Sequence, residues 1–232
     1  MTSRRGPSGS RPIAKCVAGR LMWMWTCVTG EYRAAKCMDD DWWQEEFRAA
    51  IEQGIDPPHA DDVFQALRAR INLVCVVSPD LGYAELGCAG MKAFLAATFT
   101  GDETRGEAEG KDLVQALVEF VGETKIGWLA EIAPERFELE NGPKLKLRYS
   151  TDTDPDRGEA SAPEADVRIH QMLDCSEHPF VGEGLVAVNL CLRDPKGNRV
   201  DHTFDWPRWR REELPVHMDR LRDKFPAEFG SA

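Results

Sequence analysis

The spacing of apolar residues changes period at Pro134, and no other feature of this 232-residue chain constrains its fold as strongly. Upstream, apolar side chains recur every three or four residues: Trp43, Phe47 and Ile51, then Val63, Leu67, Ile71, Val74 and Cys75, then Met91, Phe94, Leu95 and Phe99. That interval lines one face of an α-helix. Downstream, Phe137 and Leu139, then Leu145, Leu147 and Tyr149, fall at alternate positions. Alternation is the period of a strand with one buried face. Asn141-Gly142 between the two runs is a hairpin signal. The order predicts an α+β fold: an N-terminal helical bundle followed by a small, mostly antiparallel sheet with flanking helices.

Stop signals divide the chain further. The aspartates at 39–41 suit a helix N-terminus and Gly54 its end. Pro79 closes the second helical run. The segment GDETRGEAEG (101–110) reads as a charged loop. KDLVQALVEFVG and IGWLAEIAP follow as two short amphipathic helices closed by Pro134. Beyond the hairpin, Ser161, Pro163 and Glu164 resemble a capping box, which makes PEADVRIHQMLDC an expected helix. GLVAVNLCLRD is apolar at both alternations, so it is expected as one long strand covered on both faces. PKGN turns the chain and RVDHTF returns it. A last helix is expected over 210–225, with Leu214, Met218 and Leu221 on one stripe and Pro215 in its first turn or at its true start.

Residues 1–38 stand apart. MTSRRGPSGSRP is polar and rich in Gly, Pro and Ser, a composition expected to be disordered, whereas LMWMWTCV is intensely apolar and β-prone. The segment reads as disordered or as a remnant of an upstream domain. Its order of basic, apolar and small residues has some likeness to a targeting peptide, but Glu31 and Arg33 follow at once and no A-x-A site appears. The expected division is thus 1–38, a helical region over 39–133, and an α+β domain over 134–232.

Composition narrows the chemistry. The net charge is −11, so bulk charge works against binding a polyanion, and any nucleic-acid contact needs a local basic face. The seven cysteines form no C-x-x-C pair of the kind a zinc site uses, their count is odd, and no secretory signal is evident, so reduced cytoplasmic thiols are expected. Cys75, Cys88 and Cys191 lie in apolar runs and are expected to be buried. The apolar runs fall short of a membrane span. The sequence has no phosphate loop, nucleophile elbow or H-E-x-x-H pair, and its five histidines are scattered. These features predict no enzyme activity for the chain alone, no cofactor, no metal and no membrane partner.

Two basic features remain. Lys144, Lys146 and Arg148 alternate along one strand and share a face. Arg208, Arg210 and Arg211 surround Trp206 and Trp209, where aromatic rings could stack on unpaired bases. Residues 194–224 nevertheless carry eight Lys/Arg against seven Asp/Glu. That balance favours a structural corner, with both rings packed between sheet and helix and the arginines paired to Glu212 and Glu213. Lys144, Lys146 and Arg148 are the better candidates for phosphate contact. The acidic stretch over 39–62, nine acids against Arg48 alone, suits a basic protein partner instead.

The ordered series IAPERFELENGPKLKLRYS, RIHQMLDCSEHPFVGEGLVAVNLCLRDPKGNRVDHTFDW and LRDKFP resembles the C-terminal region of HrpB-type ATP-dependent helicases. There an Ala-Pro breaker, a hairpin ending in tyrosine, an apolar strand, a turn and a tryptophan follow in the same order. Here those places fall to Ala133-Pro134, Tyr149, VAVNLCLRDPKGN and Trp206. FQALRARINLVCVVSPDLG and GMKAFLAATFTG extend the likeness to roughly residues 60–227. The family's closing lysine and histidine are replaced by Ala227 and Glu228. Its two ATP-binding motor domains, with their phosphate loop and DExH box, have no counterpart in the sequence. The resemblance therefore implies a non-catalytic accessory domain that contacts a helicase motor, upstream or on a separate chain, or RNA. A stand-alone protein-interaction module with no nucleic-acid role is the alternative.

Overall fold

The structure is a computed structural model that describes residues 11–17, 20–26, 32–37, 40–57, 59–151, 153, 158 and 160–230. The chain divides into two compact units, Met1–Gln65 with Leu86–Phe120, and Ala66–Glu85 with Val121–Ala232.

In the first unit, strands β1 (Arg11–Val17), β2 (Arg20–Thr26) and β3 (Tyr32–Cys37) form an antiparallel sheet in that order. Ile13 faces Met24 and Trp25 faces Arg33, so the apolar LMWMWT run is a central strand. Of the segment expected to be disordered, positions 1–10 lie outside the described residues, and Arg11 and Pro12 begin β1. Helix α1 (Asp40–Gln53) stops where Gly54 turns left-handed, at φ 67°. Helix α2 (Asp62–Val77) starts where the Asp61 carboxylate accepts the Phe64 N–H at 2.8 Å. Its buried stripe begins at Phe64, not at Val63, which is 61% exposed. Helices α3 (Cys88–Thr98), α4 (Arg105–Glu109) and α5 (Leu113–Val121) complete the unit.

Its core is aromatic. Phe64 stacks on Phe94 at 5.8 Å, Phe94 meets Phe120 edge-on at 5.6 Å, and Phe47 meets Phe99 at 5.0 Å. The expected stripe Met91, Phe94, Leu95 and Phe99 is buried throughout. Helix α4 corrects the expected charged loop. Thr104 and Glu107 cap each other's backbone, a T-x-x-E box that the high local charge concealed. Before it, Gly101 (φ 84°) lets the Arg48 guanidinium reach its carbonyl at 3.0 Å, where an added Cβ would lie 2.8 Å from Arg48 Cγ.

In the second unit, α2 continues toward Val77 and is buried almost all round, with Ile71, Leu73 and Val74 inaccessible. Among these apolar residues lies Arg70. Its Nε donates to the Ala133 carbonyl at 2.7 Å, one Nη reaches the Leu129 carbonyl at 3.4 Å, and the other pairs with Glu135 at 2.9 Å. The guanidinium thus caps the C-terminus of helix α6 (Glu123–Ile132), where free carbonyls and the helix dipole both favour a cation. The hydroxyl of Tyr149 donates to the Pro134 carbonyl at 2.7 Å and pins the same corner.

Strands β4 (Arg136–Glu138) and β5 (Lys144–Arg148) form the expected hairpin, with a wider loop than the Asn-Gly signal implies: Leu139 N–H donates to the Pro143 carbonyl across it. The expected helix over PEADVRIHQMLDC is instead strand β6 (Glu164–Arg168) followed by the single turn α7 (Ile169–Met172). Ala165 and Val167 are buried while Glu164 and Arg168 are exposed, a two-residue period that overrides the capping-box signal. The long strand expected over 184–194 is split at Val188. Strand β8 (Val186–Ala187) pairs with β7 (Phe180–Val181), and β9 (Asn189–Arg193) pairs with β10 (Arg199–Thr203). The sheet order is β10-β9-β6-β5-β4, with β6–β9 its parallel pair. Leu190 and Leu192 are fully buried, but β9 borders a charged surface on its other face, so the expectation of two apolar covers fails. Of the cysteines expected to be buried, Cys191 is and Cys75 is half-buried; the Cys88 side chain lies outside the described residues.

The expected last helix is two, α8 (Trp206–Glu212) and α9 (Leu214–Lys224), and the short α10 (Pro226–Phe229) follows. Pro215 marks the start of α9, where its missing N–H costs no helical bond. His178 joins the sheet to α8. Its Nε2 lies 2.8 Å from the Val188 carbonyl, and its Nδ1 accepts the Trp206 N–H at 3.1 Å. Those roles require a neutral ring protonated at Nε2.

Arg70→Met preserves the buried stem but removes the donor to the Ala133 carbonyl, and stability falls by about 2–3 kcal/mol in urea unfolding. Arg70→Lys recovers less than half of that loss, because an ammonium cannot serve three acceptors in a plane. His178 is held below the ordinary histidine value of 6.5, first by burial, which outweighs the Val188 carbonyl and Asp205. A base depressed by folding contributes its full stability above 6.5 and loses it as pH falls from there through the folded value. The urea midpoint should therefore drop between neutral pH and pH 5, and less steeply in His178→Gln, which can donate and accept in the same places. Equal slopes would remove His178 as the cause.

Candidate nucleic-acid interface

Strand β5 carries its expected cations on one face. Lys144, Lys146 and Arg148 are exposed, and Leu145 and Leu147 between them are buried. The strand period dictates the split, because the leucines must cover the core. Register then extends the surface across the sheet. Arg136 faces Lys146, Glu138 faces Lys144, and Glu164 faces Arg148. Arg168 faces Arg193, and Arg193 faces Arg199. The outward face gathers seven basic side chains, at 136, 144, 146, 148, 168, 193 and 199, against three acidic ones, at 138, 164 and 166. That excess of four sits on a chain whose net charge is −11.

Some of these cations are committed. Asp166 accepts from Arg148 at 2.5 Å and from Arg193 at 2.5 Å, tying β5, β6 and β9 together. Partial burial works to raise the Asp166 carboxyl, but the two guanidinium groups outweigh it and hold it below the ordinary carboxylate value. Arg148 also lies 3.7 Å from Glu164, and Lys144 lies 3.1 Å from Glu138. These exposed pairs contribute little each and exchange readily with other anions. Among the described residues, Arg136, Lys146, Arg168 and Arg199 have no ion-pair partner.

The tryptophan corner is a different object. Trp206 and Trp209 are buried and stacked at 5.6 Å, and Trp209 stacks in turn on His217 at 5.9 Å. Trp206 Nε1 donates to the Cys175 carbonyl at 3.1 Å, and Trp209 Nε1 to Asp201 at 2.7 Å. Rings held in this way present no face to a base. The arginines around them have local partners. Arg208 pairs with Glu212 at 2.9 Å, Arg211 lies 3.5 Å from the same carboxylate, and Arg210 donates to the Cys175 carbonyl at 3.3 Å. The corner staples the sheet to α8, as its charge balance suggests. The structure brings Lys144, Lys146 and Arg148 together and leaves Arg208, Arg210 and Arg211 on a separate element.

Sequence reasoning missed Arg136, Arg168, Arg193 and Arg199. Arg168 was hidden by the helix expected there, although Ala165, Val167 and Ile169 alternate in a way that marks a strand and puts Arg168 opposite them. Arg193 and Arg199 flank a turn, and only pairing reveals that they meet.

Among the described residues, no three His, Cys, Asp or Glu side chains converge as a metal site, and no helix is long and apolar enough to cross a membrane. No curated protein matches the chain. Two solved structures share its fold. The E. coli DExH-box NTPase HrpB is 15% identical with a TM-score of 0.62, over 94% of this chain and 27% of that one. A structure of the Escherichia coli DEAH/RHA helicase HrpB is 15% identical with a TM-score of 0.60, over 98% of this chain and 30% of that one. The chain thus spans less than a third of the length of either protein. The family described as ATP-dependent helicase C-terminal, HrpB_C, matches residues 94–228. That stretch exceeds half of the chain and contains the whole basic-faced sheet and its tryptophan corner, so this chain belongs to the ATP-dependent helicase C-terminal family.

Proposed function

We propose that this chain is a non-catalytic accessory module of a HrpB-type helicase and that it contacts RNA through the outward face of its five-stranded sheet. The observation that supports this most is the segregation of charge: an acidic chain concentrates cations on one exposed sheet face, where a polyanion can meet them. The family match supplies the helicase context. Catalysis and ATP binding fall to a motor, encoded upstream or on a separate chain. Lys144, Lys146 and Arg148 contact phosphates, with Lys146 foremost because no carboxylate holds it among the described residues. Arg208, Arg210 and Arg211 serve the corner instead.

A second reading, a protein-interaction module that docks on the motor, is favoured by exposed apolar residues at the β7–β8 hairpin. Phe180 is 44% exposed and Leu185 67%.

The two readings separate in one experiment. Fluorescence anisotropy with labelled single-stranded RNA should show binding that weakens with salt, with a log–log slope of about −0.7 per phosphate contacted. Lys146→Gln should make that slope shallower by about 0.7. If RNA does not bind, or binds without salt dependence, while the chain co-purifies with a helicase motor and Leu185→Asp abolishes that capture, the second reading replaces the first.

A further inference from the structure

We infer that Arg168, Arg193 and Arg199 form a phosphate-binding row that holds consecutive phosphodiesters of one nucleic-acid strand. This deepens the RNA reading above and rests on it, but names different residues. The three lie on neighbouring strands and face one another in register: Arg168 of β6 opposite Arg193 of β9, and Arg193 opposite Arg199 of β10. Like charges directly opposite in a sheet destabilise it. Among the described residues, the middle member alone is offset, by Asp166 at 2.5 Å and by the Gly197 carbonyl at 2.9 Å. Arg168 and Arg199 are exposed and have no ion-pair partner among the described residues. Folding therefore sets three arginines opposite one another on adjacent strands, and among the described residues no carboxylate offsets the charge at the two outer positions. An external anion does so.

The spacing selects the kind of anion. Strands lie about 4.8 Å apart, so the row spans roughly 10 Å. A stacked nucleic-acid strand carries a charge about every 3.4 Å along its axis, and the row therefore covers two or three phosphates. The guanidinium groups of Arg168 and Arg199 each present a planar fork that matches a phosphate bidentately, and Arg193, whose Nε and Nη1 serve Asp166 and Gly197, adds its charge between them. The row shares its sheet face with Arg136 and Lys146, which face each other across β4 and β5, so a strand can run from one cation group to the other. An acidic peptide has carboxylates on flexible stems at irregular heights and fits a regular row less well.

The test uses the full chain and the double variant Arg168→Gln/Arg199→Gln. Both side chains are exposed, and a thermal midpoint equal to or above that of the parent verifies the fold, since relief of the repulsion can only raise it. Anisotropy titrations of a labelled single-stranded RNA across a salt series give the affinity and its slope. The expected result is a slope shallower by about 1.4, two lost contacts at about 0.7 each, and at least tenfold weaker binding at low salt. If RNA binds the double variant with an unchanged slope while Lys146→Gln weakens it, the row is overturned and the broader RNA reading stands. If RNA does not bind the parent chain at all, both fall. If polyglutamate displaces RNA at equal charge concentration, the preference for phosphodiesters is overturned.

Discussion

A buried guanidinium organises the second unit. Arg70 projects from a helix otherwise surrounded by apolar neighbours, and desolvation of its charge costs several kcal/mol before any partner is counted. Its partners are the Ala133 and Leu129 carbonyls and the Glu135 carboxylate. All three lie where α6 ends and the first sheet strand begins, so the charge is tolerated only when helix, corner and strand are in place together. Tyr149 reinforces the same point from the far end of the hairpin. The Ala-Pro breaker thus does more than end a helix: it exposes carbonyls at a defined place, and a cation and a hydroxyl from elsewhere in the chain close on them.

What could be read in the sequence follows from this division of labour. The change of period at Pro134 separated α6 from β4 correctly, because periodicity reports which side chains a local element must bury. Phe94, Leu95 and Phe99, and likewise Leu145 and Leu147, lie where their spacing put them. Glu164–Arg168 did not, because Pro163 and Glu164 imitate a helix start while Ala165 and Val167 alternate, and only pairing with β9 decides between the two. The division of the last helix at Glu213 has a local cause, Pro215, whose position was legible but whose effect on the preceding turn was not. The candidate site was half legible. Lys144, Lys146 and Arg148 announced a shared face in a single segment, whereas Arg136, Arg168, Arg193 and Arg199 join it through register, which no one segment contains.

The tryptophan corner shows how composition alone misleads. Aromatic rings amid arginines have the makings of a base-stacking platform, but here both indole N–H groups are used internally, Trp206 on the Cys175 carbonyl and Trp209 on Asp201, and the Trp206 backbone N–H is held by His178. The face with fewer aromatic rings, where seven basic side chains outnumber three acidic ones, is the more exposed of the two.

The outer strands of that sheet have a consequence for how the protein meets copies of itself. β4 is three residues long, and β10 breaks its register between Arg199 and Asp201. Short, bulged and charged margins are the devices by which sheets refuse a further strand. Edge-to-edge growth is thereby discouraged at both borders. The same arginine that flanks the bulge of one border, Arg199, also stands opposite Arg193 on the outward face, so one residue belongs both to the guarded edge and to the charged face.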